Sequence, residues 1–305
     1  MLPESPPLVS IGMPVYNRLS GLKSTLANIR HQSYRNLEIV VSDNCSPDPA
    51  IREYMTAMAE EDSRIRYVRQ SVNIGLVRNF QYVQAAATAD YFMWAADDDE
   101  HAPDFIERCM GALLSNANTA SAMVPSEVHF RAKDRRVPVA MPALEAAESA
   151  AVNLRRYFAV PEPSIMYGVH RAAAIRWFLN CDSFPWVDCY FVSRLMLEGW
   201  NVAVLPGKAS FASGVDAADY EAKPLTGKGF VYMPYFKNMT RSIRDSRHLT
   251  PVQKLEFTLR SLQFILAIFV KFQPRTNPSL CRVHSAFTLR ALGVALRLFP
   301  KVSMT

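Results

Sequence analysis

Three consecutive aspartates, Asp97, Asp98 and Asp99, with Glu100 behind them, end the apolar run Tyr91–Ala96. Neighbouring carboxylates repel, and carboxylates beside a core lose hydration. Such a stretch is either a solvated acidic loop or the seat of a cation. Oxygen ligands suit Mg²⁺ or Mn²⁺, which take one or two protein carboxylates and leave the rest of the shell to phosphates and water. Two other polar clusters end apolar runs in the same manner: Tyr16-Asn17-Arg18 after "LVSIGMPV" and Asp43-Asn44 after "LEIVVS". No GxGxxG follows the first apolar run and no GxxxxGK[ST] occurs, which weighs against dinucleotide and P-loop chemistry.

The elements that must position these clusters are legible from periodicity. Val9, Ile11, Met13 and Val15 alternate within residues 8–16, as in a strand. Leu22, Leu26 and Ile29 then repeat at helical spacing, with Ser20 as the expected N-cap. Residues 37–43 are a continuous apolar run, as in a parallel strand covered on both faces. A helix near 50–60, a strand at 64–70, a helix opened by "NIGLVRNF" and a strand at 90–96 follow. Pro103 then stands where a helix begins, and Phe105, Ile106, Cys109, Met110 and Leu113 form its apolar face. Alternation of this kind predicts a doubly wound α/β sheet with ligands at the carboxyl ends of the strands. The three polar clusters all fall at such ends.

Beyond residue 118 the pattern is less regular. Strands are expected near 121–130, 164–169 and 201–206, and helices near 149–159, 172–180 and 187–198. Residues 212–230 read as a mobile loop, followed by helices at about 251–272 and 283–299.

The 305 residues, half of them hydrophobic, suffice for one large domain or one domain with an appendage. The five cysteines (Cys45, Cys109, Cys181, Cys189, Cys281) have no metal-ligand spacing and read as reduced thiols. The first ten residues do not resemble a signal peptide. The apolar run at 264–270 is too short to span a bilayer. Of the net charge of +6, residues 251–305 hold eight Lys/Arg against the single acid Glu256, so the preceding 250 residues are close to neutral.

In order and spacing, "VSIGMPVYNR", "EIVVSDNCSPD", "NIGLVRNF" and "DYFMWAADDDEHAPDFI" resemble the successive motifs of glycosyltransferase family 2. A weaker likeness continues through "YGVHR" (167–171) and "WVDCYFVSRLMLEGWNVAVLP" (186–206). The resemblance implies a GT-A fold and an inverting transfer of sugar from a nucleoside diphosphate sugar, UDP-linked in the first instance, to a glycan or lipid-linked acceptor. It divides the chain into a GT-A catalytic domain at 1–245, with a nucleotide-binding half (1–118) and an acceptor half (119–245), and a basic amphipathic helical extension at 246–305.

It also assigns roles. Pro14, Tyr16 and Asn17 would end the first strand against the nucleotide, and Asp43 would accept from the base edge; the competing reading of Asp43 is an Asx-turn. Asn73 and Arg78 would lie near the nucleotide or its phosphates, against helix capping for Asn73 and a solvated side chain for Arg78. The family's Asp-x-Asp-Asp pattern falls on Ala96-Asp97-Asp98-Asp99, so its first aspartate is alanine here. Asp98 takes the metal position, with Mg²⁺ or Mn²⁺ as the implied cofactor and Asp99 as a second candidate ligand. Asp97 would face the ribose or diphosphate. Asp188 falls on the catalytic base; Val187 stands where the family often has Glu. Its competing reading is an acid favoured by the helix dipole. His170, Trp94 and Trp186 are more simply read as packing residues.

Leu255, Leu259, Leu262, Leu266 and Phe269 form a 4-3-4-3 stripe in the basic tail. Basic amphipathic helices suit an anionic membrane surface, and the expected location is cytoplasmic with peripheral attachment to the inner face of the plasma membrane. A helical cap on the catalytic domain and a dimer contact are the competing readings. Nucleic acid is not an expected partner, because aromatic residues do not interleave with the basic ones. A non-catalytic nucleotide-sugar binding protein and a nicotinamide-dependent oxidoreductase are the rival functions.

Overall fold

The computed structural model describes residues 3–215 and 232–271. The strands in chain order are β1 (Val9–Val15), β2 (Leu37–Asp43), β3 (Ile65–Arg69), β4 (Tyr91–Trp94), β5 (Asp99–His101), β6 (Thr119–Met123), β7 (Ser126–Phe130), β8 (Arg135–Pro138), β9 (Val169–Arg171), β10 (Asn201–Val204) and β11 (Phe211–Val215). The helices are α1 (Leu19–Arg30), α2 (Pro49–Glu61), α3 (Leu76–Ala86), α4 (Phe105–Ser115), α5 (Ala150–Ala159), α6 (Ala172–Ile175), α7 (Val187–Leu197), α8 (Met233–Asp245) and α9 (Pro251–Lys271).

Seven strands form one sheet in the order β10-β6-β9-β4-β1-β2-β3. Only β9 is antiparallel to its neighbours. All seven residues of β1 are buried, as a central strand requires. The apolar faces foreseen for α1 and α4 are the buried ones. From β1 the chain winds outward through β2 and β3 and returns to the other flank of β1 as β4, which makes the β1/β4 boundary the switch point where such sheets open a crevice. β4 pairs with β1 only to Gly12↔Trp94, while β2 continues to Val15↔Asp43. The Gly12 carbonyl accepts from Ala95 N on the β4 side, and Pro14, two residues on, faces the same side beyond the end of β4. Its missing N–H therefore costs the ladder nothing.

A second sheet, β5-β11-β7-β8, stands over this crevice. It accounts for several departures from the periodicity reading. The expected strand at 121–130 is two strands in two sheets, broken at Val124-Pro125. Residues 211–215 are a strand and not part of a loop, because β11 pairs with both β5 and β7; the remainder of the 212–230 loop lies outside the described residues. Residues 163–167 form a 3₁₀ turn ahead of β9, and the 172–180 helix changes to 3₁₀ after Ile175. Ser20 is not the N-cap: α1 starts at Leu19 with Arg18 in that place. Helix α8 is not among the expected elements, although its buried Tyr235, Met239 and Ile243 recur at helical spacing.

Helix α9 packs on α5 and α8. Phe257 is fully buried and stacks on Phe158 at 6.1 Å. Glu256 binds Arg155 at 2.7 Å and Arg260 at 3.0 Å. The buried side runs through Phe257 and Ser261, whereas Leu255 and Leu262 of the stripe are exposed. The expected 283–299 helix lies outside the described residues. Because Phe257 belongs to the core, Phe257→Ala should lower stability by about 3–5 kcal/mol, seen as a lower urea midpoint. An unchanged midpoint would show that α9 is dispensable to that core.

Candidate active site at the β1/β4 crevice

The acidic turn leaves β4 and is pinned by its backbone. Ala96 N donates to Asp99 Oδ2 (2.9 Å) and Asp99 N to the Ala96 carbonyl (3.2 Å). The Asp98 carbonyl accepts from Arg131 Nη2 (2.7 Å) and Gly214 N (2.9 Å), and the Asp99 carbonyl from Thr25 Oγ1 (2.8 Å). Helix α1 approaches so closely that a Cβ on Gly21 would lie 2.1 Å from the Asp97 carbonyl oxygen.

This scaffold sends the three carboxylates in different directions. Asp99 turns inward and is 1% exposed. Burial, reinforced by the charge of Asp98, holds its carboxyl well above the ordinary range. Asp97 and Asp98 converge on one cationic nitrogen, Arg18 Nη1, at 3.3 and 2.6 Å. The backbone N–H of Tyr16 reaches Asp97 Oδ2 at 3.4 Å. Burial pushes Asp97 up to about 6; Asp98 adds to this shift and Arg18 opposes it.

Two carboxylates that hold one positive group between them have the oxygen donors that Mg²⁺ or Mn²⁺ takes from a protein. Among the described residues no three His, Cys, Asp or Glu side chains converge on one point, so further ligands would have to be phosphate oxygens and water. The residues present fit such an ion, and Asp98, with Asp97 beside it, would supply the protein oxygens.

The nucleotide-side candidates line the same crevice end. Asn17 N donates to Ser46 Oγ (2.9 Å), tying the β1 and β2 loops together. Asp43 is 1% exposed and accepts from Ser46 N (2.8 Å) and from the Tyr67 hydroxyl (3.1 Å), with Arg69 Nε at 3.4 Å. Asn73 Oδ1 accepts from Asn44 Nδ2 (3.0 Å) and Gly75 N (2.9 Å), one turn before α3. Arg78 is exposed on α3 and has no ion pair among the described residues. Tyr16, Val72 and Leu76 leave an apolar rim open to solvent.

Asp188 lies in the first turn of α7 and its Oδ1 accepts from Cys189 N (2.7 Å). Burial raises its carboxyl above the ordinary aspartate range. The Tyr167 phenol is within electrostatic reach of both Asp188 and the acidic turn. Burial and then the charges of Asp99, Asp188, Asp98 and Asp97 push that phenol well above its usual range. The Tyr167 ring stacks on Phe211 at 6.0 Å. His170 is a core residue: its Nε2 contacts the Met166 carbonyl at 2.9 Å, and burial lowers it to about 4. Trp94 is buried as well, with Nε1 donating to the Phe80 carbonyl (3.0 Å).

Tyr167, Arg131, Thr25 and Gly21 escaped the sequence reading. "YGVHR" flagged the neighbourhood of Tyr167, but the other three act through backbone contacts that leave no local pattern. Asn17, Cys45 and Trp186 have φ of 56°, 61° and 59°, three of the four non-glycine residues with positive φ among the described residues. All three sit beside the candidate residues, where strained backbone tends to collect.

A mostly parallel sheet with an acidic turn at its switch point is the arrangement of a GT-A fold. Residues 10–180 match the profile of glycosyl transferase family 2, and the chain belongs to that family. It is 31% identical over 110 residues to an uncharacterised glycosyltransferase of Haemophilus influenzae, covering 36% of this chain and 44% of that one. It is 28% identical over 119 residues to a GalNAc(5)-diNAcBac-PP-undecaprenol beta-1,3-glucosyltransferase of Campylobacter jejuni, covering 39% and 37%. The match thus spans less than half the length of either relative. Among solved structures, S. aureus TarS 1-349 in complex with UDP-GlcNAc superposes with a TM-score of 0.69 at 14% identity, over 95% of this chain and 81% of that one.

The close approach at Gly21 gives a direct test. Gly21→Ala should lower the melting temperature by several degrees, since the Asp97 carbonyl must move. Gly111→Ala, where a Cβ meets nothing within 4 Å on α4, should instead raise stability by about 0.5–1 kcal/mol. Equal effects of the two would mean α1 does not brace the turn.

Proposed function

We propose that this protein transfers one sugar from a nucleoside diphosphate sugar to a glycan or lipid-linked acceptor, with inversion at the anomeric carbon. The observation that carries this reading is the pairing of Asp97 and Asp98 around one cationic position, with the Tyr167 phenol within electrostatic reach of both that pair and Asp188.

UDP is the first nucleotide to consider, supported by the UDP-GlcNAc bound to TarS, a protein of the same fold. The base would lie toward Asp43 and Asn73 inside the Tyr16–Val72–Leu76 rim, with Pro14 and Asn17 shaping its edge and Arg78 free to reach phosphate. Asp97 would orient the ribose or diphosphate, and Asp98, aided by Asp97, would hold Mg²⁺ or Mn²⁺. When bound, such an ion neutralises charge on the leaving diphosphate. Asp99 serves as a brace for the turn. Asp188 takes the proton of the acceptor hydroxyl as that oxygen attacks the anomeric carbon. The sugar–phosphate bond breaks on the opposite face and the nucleoside diphosphate departs. Burial strengthens Asp188 as a base, and the Tyr167 phenol feels the charge of both acidic groups.

A lipid-linked acceptor is supported by the undecaprenol-linked substrate in the name of the C. jejuni relative. Exposed Val252, Leu255 and Leu262 on α9 and the basic 251–305 segment suit peripheral attachment at an anionic membrane face, with the enzyme in the cytoplasm. No helix among the described residues is long and apolar enough to cross a membrane.

Asp188→Asn should reduce turnover about 10²–10⁴-fold while leaving nucleotide affinity unchanged. Because only the ionised carboxylate accepts the proton, the wild-type rate should fall on acidification, with an apparent pKa above the ordinary value of about 3.9. Full turnover in Asp188→Asn would move the base elsewhere. A wild-type protein that binds nucleotide sugar and releases no nucleoside diphosphate with any acceptor would be a binding protein.

A further inference from the structure

The C-terminal parts of α7 and α8 leave a cavity of about 500 Å³ between them. Arg194, Arg241 and Arg247 line it together with His248 and two acids, Glu198 and Asp245. Both acids are already engaged: Glu198 Oε1 binds Arg194 Nε at 2.8 Å, and Asp245 Oδ1 binds Arg244 Nε at 2.8 Å. The charge of Arg241 also reaches Asp245. Neither Arg241 nor Arg247 makes an ion pair among the described residues, and both are exposed at the rim. The inner wall is built. Arg194 lies over the Trp177 ring at 4.1 Å, and its Nη1 reaches the Tyr190 hydroxyl at 3.4 Å. That hydroxyl stands 2.9 Å from Ser242 Oγ, which ties α7 to α8. His248 is seated against Gly199, where any Cβ would collide with the imidazole.

Basic charge continues outward from the rim. Residues 233–250 hold Lys237, Arg241, Arg244 and Arg247 against the single acid Asp245. Lys237, Arg241 and Arg244 recur at i, i+4, i+7 and are exposed, on the side of α8 opposite its buried Tyr235, Met239 and Ile243. Met233, at the start of α8, and Val252 and Leu255, in the first turns of α9, are exposed as well. Cations flanked by open apolar side chains suit a surface that enters the headgroup layer of an anionic membrane. Guanidinium groups suit its phosphates, which their planar fork matches.

We propose that this cavity takes the phosphate of an anionic phospholipid headgroup, held by Arg241 and Arg247 against the wall made by Arg194. The inference rests on the peripheral-membrane reading given above and adds to it a discrete site outside the 251–305 segment. A lipid phosphate fits better than a free one because Val252 and Leu255 follow the rim residues directly in the chain and need an apolar boundary. Arg194 is six residues from Asp188 on α7, about 9 Å along the helix axis. A membrane seated at this end therefore brings a lipid-linked acceptor toward Asp188.

The test is flotation of the full chain with vesicles of phosphatidylcholine alone and of phosphatidylcholine mixed with phosphatidylglycerol. Wild type is compared with Arg241→Glu/Arg247→Glu, with the charge-matched control Arg35→Glu/Arg52→Glu at exposed positions elsewhere, and with Asn238→Trp, which fills the cavity without changing its charge. Wild type should prefer the phosphatidylglycerol vesicles. The rim variant should lose at least about thirtyfold in affinity for them, the scale of two cations at an anionic surface. Asn238→Trp should lose about fivefold or more, and the control should stay close to wild type. Equal losses in the rim variant and the control, or wild-type affinity in Asn238→Trp, would overturn the cavity and leave attachment to diffuse basic charge. A wild-type chain that floats with neither vesicle would overturn the membrane reading beneath it. Calorimetric binding of inorganic phosphate that is lost in the rim variant, while vesicle binding is kept, would assign the cavity to free phosphate and overturn the headgroup.

Discussion

The structure is organised around the burial of carboxylates at the end of a central strand. Three adjacent aspartates leave β4 where β1 outruns it, and two of the three are nearly closed to water. Repulsion and lost hydration both disfavour this turn. It is held because backbone and side chains are satisfied from different directions. Arg131 and Gly214 reach the Asp98 carbonyl from the second sheet, and Thr25 reaches the Asp99 carbonyl from α1. The Asp99 side chain closes the turn on Ala96 N, and Asp97 and Asp98 share Arg18. The second sheet and the first helix are therefore supports for the turn as much as parts of the core.

The opposite wall is built on the same plan. Antiparallel β9 joins the halves of the main sheet between β4 and β6, and the 3₁₀ turn ahead of it presents Tyr167. Trp186, in a left-handed conformation, starts α7 and sets Asp188 in its first turn. Trp186 also packs against Tyr232 at 5.1 Å, which links the Asp188-bearing helix to the start of α8. Aromatic packing and a left-handed cap position this acid without an ion pair among the described residues.

Most of the nucleotide half was legible in the sequence, because parallel buried strands and amphipathic helices leave strong periodic signals. The apolar faces of α1 and α4 are those read from spacing, and the polar clusters fall at strand ends as expected. The second sheet was not legible. β5 consists of Asp99, Glu100 and His101, which no strand propensity would select; it exists because its backbone pairs with β11. The side by which α9 packs was not legible either: Phe257 and Ser261 are buried, while Leu255 and Leu262 of the heptad-like stripe are exposed. Of the site, the acids were visible as residue types, but their orientation was not. That Asp99 turns inward while Asp97 and Asp98 meet at Arg18 depends on contacts from Arg18 and Thr25 across more than seventy residues.

The central claim is that the Asp97–Asp98 pair receives a divalent ion together with a nucleoside diphosphate. Calorimetric titration of UDP, GDP and dTDP, each with and without Mn²⁺, on wild type and Asp98→Ala tests it most directly. The account predicts that one nucleotide binds in a Mn²⁺-dependent manner and that the dependence disappears in Asp98→Ala. Metal-dependent binding that persists unchanged in a folded Asp98→Ala protein would contradict it.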